Sequence, residues 1–202
     1  MAVASFVIAI SALLFTVASF WWLQARRGPL RCFPVQAFSG CLHADLVLIR
    51  VPLSIFNSGP VARVAVDLQL RLVPPTGDAL TLPSSTFRKS LMPRTDDTVD
   101  FVHPFAVPGR SVVAHHVEFA RTVGPPASLL AGSPCTAVVE AQVDQDTTWT
   151  EVGRFPLHIE IMGDPRVYIT YSNHPHAWPE GQREKTVEAF AALRTEMGLP
   201  ED

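Results

Sequence analysis

The chain has 202 residues, 48% of them hydrophobic, and a net charge of −3. That length holds one ordinary domain plus a short appended segment. A near-neutral charge excludes a nucleic-acid binder working through a basic footprint, and 3 cysteines are too sparse a set for a disulfide framework.

Ala2 to Leu23 contains no charged residue. At roughly 1.5 Å per residue this run spans about 33 Å, enough for a bilayer core of roughly 30 Å. Trp21 and Trp22 lie at its end, where amphipathic rings favour the headgroup level, and Arg26 and Arg27 follow before Gly28-Pro29 ends any helix. A cleaved signal peptide needs a basic n-region, a shorter apolar core and a small-residue cleavage site, so the run predicts a retained single-pass transmembrane helix. Ala2, Ser5, Ala9, Ala12, Thr16 and Ser19 recur at steps of three and four. They place small side chains on one face, while Phe6, Ile10, Leu13 and Phe20 lie mostly off it. Small faces let membrane helices approach closely, so this face is expected to meet another helix, a second copy of the chain being one candidate. All 19 acidic residues lie beyond Leu42, whereas Arg26, Arg27 and Arg31 follow the helix directly. The positive-inside rule then puts the amino terminus outside and the domain in the cytoplasm; the alternative is an extracytoplasmic domain.

Residues 28–44, with Pro29, Pro34 and Gly40, read as a linker after an anchor and basic flank at 1–27. Strand-type alternation begins next. Val47, Ile49, Val51, Leu53 and Ile55 share one face, and Asn57-Ser58-Gly59-Pro60 signals a turn. Ala62, Val64, Val66, Leu68, Leu70 and Leu72 then alternate with Arg63, Asp67, Gln69 and Arg71, which predicts an antiparallel partner for the previous strand. Further alternation covers Leu80–Leu82, Val99 to Phe105, Val113 to Phe119, Val139 to Val143, Phe155 to Ile161, and Val167 to Tyr171. Short strands at this spacing predict a mainly β fold, a β-sandwich over 45–171. Pro52 and Pro156 are expected on edges or at bulges, because proline cannot donate to a ladder. Over 172–202 a loop leads into an amphipathic helix with Phe190, Leu193 and Met197 on one side, Val187 near them, and Gly198 and Pro200 as stop signals.

The order of an uncharged anchor, Trp-Trp, Arg-Arg and a Pro/Gly linker precedes the stretch Val-Pro-Leu-Ser-Ile-Phe-Asn-Ser-Gly-Pro (51–60). The stretch Pro-Phe-Ala-Val-Pro-Gly-Arg-Ser (104–111) comes later. In this the chain resembles a group of actinobacterial single-pass membrane proteins carrying an immunoglobulin-like β-sandwich. The resemblance implies that fold and an anchor, and carries over no catalytic residue. The dominance of Arg among the 16 basic residues, with only Lys89 and Lys185 as lysines, fits a high-GC bacterial coding bias.

Motifs that carry chemistry are sparse. His174 and His176 would point the same way on a strand and are the candidate metal ligands, if a third group converged. His115 and His116 point to opposite faces of a strand and cannot share one ion. Asp96, Asp97 and Asp100 are read as turn residues. Cys135 has no identifiable base beside it, and Cys32 and Cys41 are close enough in sequence to pair in an oxidising compartment. The sequence holds no Gly-x-Ser-x-Gly, phosphate loop, Gly-x-Gly-x-x-Gly or His-Glu-x-x-His. No catalytic residue, no cofactor and no nucleic-acid partner is therefore expected. The leading expectation is a membrane-tethered, non-catalytic protein-interaction module whose partners are the lipid bilayer and another protein. The alternatives are a structural subunit of a membrane complex and a metal-dependent or other enzyme.

Overall fold

The computed structural model describes residues 2–94 and 96–199. Helix α1 (Ala2–Phe20) runs into a π-helical turn, Trp21–Ala25. Eleven strands follow: β1 (Leu30–Cys32), β2 (Ala37–His43), β3 (Leu46–Asn57), β4 (Arg63–Val73), β5 (Leu80–Arg88), β6 (Val99–Phe101), β7 (Phe105–Val107), β8 (Val112–Arg121), β9 (Cys135–Val143), β10 (Thr150–Leu157) and β11 (Ile169–Ser172). Helix α2 (Gln182–Glu196) is the last element among the described residues. The fold is mainly β with one N-terminal apolar helix. Val3–Ala25 is long and apolar enough to cross a membrane.

Every ladder is antiparallel. One layer has the order β10-β9-β4, with β7 beside β4; the other has the order β5-β8-β3-β2-β11, with β1 beside β3 and β6 beside β5. Strand β5 joins the layers. Its first half, Leu80–Pro83, pairs with β4, and after an irregularity between Ser84 and Thr86 its second half pairs with β8. A bulge bends a strand in this way and lets it turn a sandwich corner. Between the layers, Val47, Ile49, Val51, Leu53 and Ile55 of β3 are 0–2% exposed and share the core with Leu68, Leu70 and Leu72 of β4. Fully burying each such side chain stabilises the fold by roughly 1.5–3 kcal/mol.

Several sequence expectations are revised. Strands β3 and β4 are not paired but lie in opposite layers, because the corner after Asn57 crosses the sandwich rather than forming a hairpin. Fully buried Asn57 sets that corner. Its Nδ2 donates to the carbonyls of Val61 (2.8 Å) and Val107 (3.1 Å), and its Oδ1 accepts the Gly59 N–H (2.9 Å). Residues 28–44 are not a linker: they hold β1 and β2, and Phe38 and Leu42 are wholly buried. The break between these strands, at Pro34, hid the alternation. In β4 a register shift between Ala65 and Asp67 buries Ala65 at 1% and leaves Val64 36% exposed, so the period-2 face holds only from Leu68 onward. The run from Val99 to Phe105 is broken at Pro104 into β6 and β7, which pair with β5 and β4 respectively. Pro156 lies on the edge strand β10, as expected. Pro52 lies inside the sheet, but β2 covers only Leu46–Arg50 and β1 only Ile55–Asn57 on that side of β3. The proline therefore occupies the gap between them, where no ladder donor is required. In α2 the buried residues are Thr186, Phe190 and Leu193, while Val187 is 53% exposed.

Candidate functional site

Two constellations stand out. The first is the junction between the apolar helix and the sandwich. The N–H of Arg26 donates to the carbonyl of Trp21 (2.9 Å), and the Arg26 guanidinium lies 4.1 Å from the centre of the Trp22 ring. Gly28 then passes against Gly59 so closely that a Cβ on Gly28 would stand 2.1 Å from the Gly59 nitrogen. The adjoining turn Pro108-Gly109-Arg110 meets the same corner. The Arg110 N–H donates to the Gly59 carbonyl (2.9 Å), and a Cβ on Gly109 would stand 1.9 Å from the Pro60 oxygen. Two side chains complete the junction. Arg110 Nη2 donates to the Leu23 carbonyl (3.0 Å), and Arg63 Nη1 donates to the Gly28 carbonyl (2.9 Å) while its Nε holds Asp144 Oδ2 (2.6 Å). Burial alone would raise the Asp144 carboxyl, but the Val64 N–H and the Arg63 guanidinium hold it below its ordinary value. The ends of the stretches 51–60 and 104–111, at Ser58, Gly59 and Arg110, thus meet the helix exit at one end of the sandwich. There Gly is needed because backbones touch.

The second constellation lies on the outer face of the β5-β8-β3-β2 layer. Arg50 interrupts the apolar run of β3 and is 2% exposed. Its register partner on β8 is Glu118; Nη2 donates to Glu118 Oε2 (2.9 Å), and Nη1 donates to Asp97 Oδ2 (2.9 Å) and to the Ser90 carbonyl (2.8 Å). Glu118 also accepts from the hydroxyls of Thr86 (3.1 Å) and Tyr168 (2.9 Å) and from Arg88 Nη2 (3.2 Å). On β2 the buried Ser39 hydroxyl donates to the Leu91 carbonyl (2.7 Å) and meets Thr170 Oγ1 (2.8 Å). Two guanidinium groups thus balance two carboxylates. The segment between β5 and β6 is pinned across the sheet by Ser90, Leu91 and Asp97. Burial would raise the Glu118 carboxyl, yet hydrogen bonds from Arg50 and Tyr168 and the charge of Arg88 pull it below its ordinary value. Burial and the Glu118 carboxylate push the Tyr168 phenol up. The side chains of Arg50, Asp97 and Glu118 are buried among these partners, so their chemistry is that of a clamp.

The sequence-level candidates fare unevenly. His174 and His176 flank Pro175 in an exposed single turn, Pro175–Ala177, not a strand, so the shared direction expected of them does not arise. Among the described residues no group of three His, Cys, Asp or Glu side chains could hold a metal ion. His115 stacks on Phe87 (4.8 Å) and packs on Phe105 (4.6 Å); burial, then the charges of His103 and His116, lower its pKa. Asp97 belongs to the Arg50 layer, whereas Asp96 and Asp100 are exposed. All 3 cysteines are free thiols. Burial pushes Cys32 and Cys41 up to about 11 and Cys135 up to about 12, the reverse of what a nucleophile needs. Ser5, Ala9, Ala12 and Thr16 are exposed along α1, with Ser19 half-buried; the side chain of Ala2 lies outside the described residues. Thr16 Oγ1 donates back to the Ala12 carbonyl (2.8 Å). Arg50, Glu118, Tyr168 and Arg110 were missed, and Asn57 was seen as part of a turn without its role in the corner. The signal for Arg50 and Glu118 was a charged residue in the midst of an apolar strand run; Tyr168, just before β11, and Arg110, in the turn between β7 and β8, carried none.

No protein-family model matches the chain, and no curated protein does. Among solved structures, a Northeast Structural Genomics Consortium target superposes with TM-score 0.39 at 9% identity, covering 65% of this chain and 88% of that one. A protein from Archaeoglobus fulgidus gives TM-score 0.35 at 9% identity, covering 70% and 96%. A β-glucuronidase from glycoside hydrolase family 2 gives 0.37 at 12%, covering 66% of this chain and 13% of its own. Likeness this distant assigns no residue a role.

Proposed function

We propose that the chain is a single-pass, membrane-tethered interaction module built on an immunoglobulin-like sandwich, with the domain in the cytoplasm. The strand order supports the fold: β4-β9-β10 corresponds to a C-F-G layer, and β2-β3-β8-β5 to an A-B-E-D layer. The observation carrying the interaction reading is strand β6. It is paired on one side only, by β5, with Val99 55% and Phe101 80% exposed. A one-sided strand bearing large apolar side chains in water is the kind of edge to which a partner chain adds a strand. Tethering raises the effective concentration of such an edge at the membrane. Copurification of the intact protein from native membranes tests this. A protein partner should be retained by wild type and lost with Phe101→Asp; recovery of the same partner with both rules out β6 as the contact. Orientation rests on Arg26, Arg27 and Arg31. A reporter active only in the cytoplasm, fused after the C-terminus, should give signal, and activity of an exterior-only reporter would reverse the assignment.

A second reading, a structural subunit joined through α1, is favoured by the exposed line of Ser5, Ala9, Ala12 and Thr16. Replacing Ala9 and Ala12 by Leu should weaken helix association in membranes while Leu13→Ile and Val17→Ile leave it unchanged, and equal behaviour of the two pairs would dismiss this face.

A further inference from the structure

The chain leaves almost no slack between the apolar helix and the sandwich. The helical turn ends at Ala25 and β1 begins at Leu30. The intervening residues could reach about 14 Å if fully extended, but that reach is not used. Gly28 lies on Gly59, Arg63 grips the Gly28 carbonyl, and Arg110 grips the Leu23 carbonyl inside the helical turn itself. With Trp21 and Trp22 at headgroup level, the sandwich end formed by the corner at Gly59, the turn at Arg110 and the turn joining β9 to β10 must rest against the bilayer surface.

That end has the composition such a surface would select. Arg27, Arg31 and Arg110 are exposed. Among the described residues Arg26, Arg31 and Arg110 form no salt bridge, Arg27 acts on Asp144 through its charge without a direct contact, and the buried Nε of Arg26 has no hydrogen-bond partner. The acidic side chains nearby are engaged: Asp144 holds Arg63, and Asp146 accepts the N–H (2.9 Å) and hydroxyl (2.8 Å) of Thr148. Trp149, 39% exposed, stands in the same turn as Asp144, and Val112, 52% exposed, shares a register row with Phe56 and Arg31. Guanidinium groups without salt bridges beside amphipathic and apolar side chains match a plane of phosphates over acyl chains.

We propose that this end of the sandwich is a seat for anionic phospholipid headgroups, with Arg26, Arg27, Arg31 and Arg110 on the phosphates and Trp149 at the interface, so that the domain stands on the membrane in a fixed pose. This rests on the membrane-tether reading above. The test is hydrogen exchange of the full-length protein in lipid nanodiscs of phosphatidylcholine alone and of phosphatidylcholine with 30% phosphatidylglycerol. The anionic discs should slow exchange across 108–112 and 144–150 at least fivefold, and higher salt should reverse the slowing. The doubly substituted Arg31→Glu/Arg110→Glu protein should show neutral-disc rates in both lipids. The turn at 43–46, between β2 and β3 and away from the helix exit, should exchange alike throughout and so report that the variant is folded. Rates independent of lipid charge in inserted protein overturn the seat alone. Failure of the protein to enter the discs overturns the tether and the seat together.

Discussion

Arg50 and Arg110 each tie a distant segment to the sandwich, but they do so in opposite surroundings. Arg50 is 2% exposed, holds two carboxylates and pins the segment before β6 over a sheet face. Arg110 is exposed and grips one carbonyl of the helical turn, while the close packing around it is backbone on backbone at Gly28, Gly59 and Gly109. The contrast separates two uses of one side chain. Where charge is buried, the partners depend on one another and loss of one leaves the others stranded in low dielectric. Where charge is at the surface, water and salt replace what is lost, and the interaction directs geometry more than it stabilises.

The largest effect should therefore come from Arg50→Met, which leaves Asp97 buried without a cation and Glu118 with Arg88 alone. A loss of about 3–5 kcal/mol is expected in denaturant unfolding of the full chain in detergent. Replacing Glu118 by Met as well should restore part of it, since an apolar pair removes a buried carboxylate left with Arg88 as its one cation. A double variant no more stable than the single one would mean that the layer is held by Asp97 and Ser90 rather than by the Arg50–Glu118 pair.

Acid should sharpen the same contrast. The Glu118 carboxyl is held below its ordinary 4.5 in the folded protein, so the unfolded chain binds the proton more readily. Its contribution is complete above that value and is lost as pH falls through the lower, folded one. His115 adds an earlier step of the same sign. Its pKa is lowered from 6.5 by burial first, so unfolding takes up a proton and stability declines as pH drops below 6.5. Unfolding midpoints measured from about pH 7 to 3 should show both declines. His115→Phe should remove the upper step and Glu118→Gln the lower. A profile unchanged by either substitution would place the acid sensitivity elsewhere.

How far the sequence revealed these regions depended on whether the signal was periodic. The core faces of β3 and β8 were legible because Val47 to Ile55 and Val113 to Phe119 alternate without interruption. The upstream half of β4 was not, since a bulge shifts phase at Val66 and leaves no mark in residue type. The strands β1 and β2 were obscured by Pro29 and Pro34, read as linker chemistry, although they stand at the start of β1 and in a sheet gap. Arg50 and Glu118 lie 68 residues apart, and nothing local couples them; only the antiparallel register of β3 on β8 does. Asn57-Ser58-Gly59-Pro60 was recognised as a turn, but that it turns between layers, and meets the helix exit, is set by the glycine contacts of the folded chain.

The smallest stability effects belong to the junction, and there the backbone and side-chain contacts can be told apart. Gly59→Ala places a methyl group 2.1 Å from the Gly28 nitrogen. Neither chain can yield without disturbing the Asn57 corner, and overpacking of this kind costs about 1–3 kcal/mol. Arg110→Ala removes a surface hydrogen bond to the Leu23 carbonyl and should cost less than about 1 kcal/mol. Global unfolding alone would rank the first as important and the second as negligible. Local opening of the junction should bring them together, because both substitutions release the helix exit from the sandwich. Arg27 is exposed and precedes Gly28, so brief trypsin treatment of detergent-solubilised protein reads that opening at the Arg27–Gly28 bond. Cleavage there should quicken severalfold in Gly59→Ala and in Arg110→Ala alike, although only the first shifts the unfolding midpoint appreciably. If Arg110→Ala leaves the cleavage rate at the wild-type value, the guanidinium is a bystander and the glycine contacts alone hold the helix to the domain.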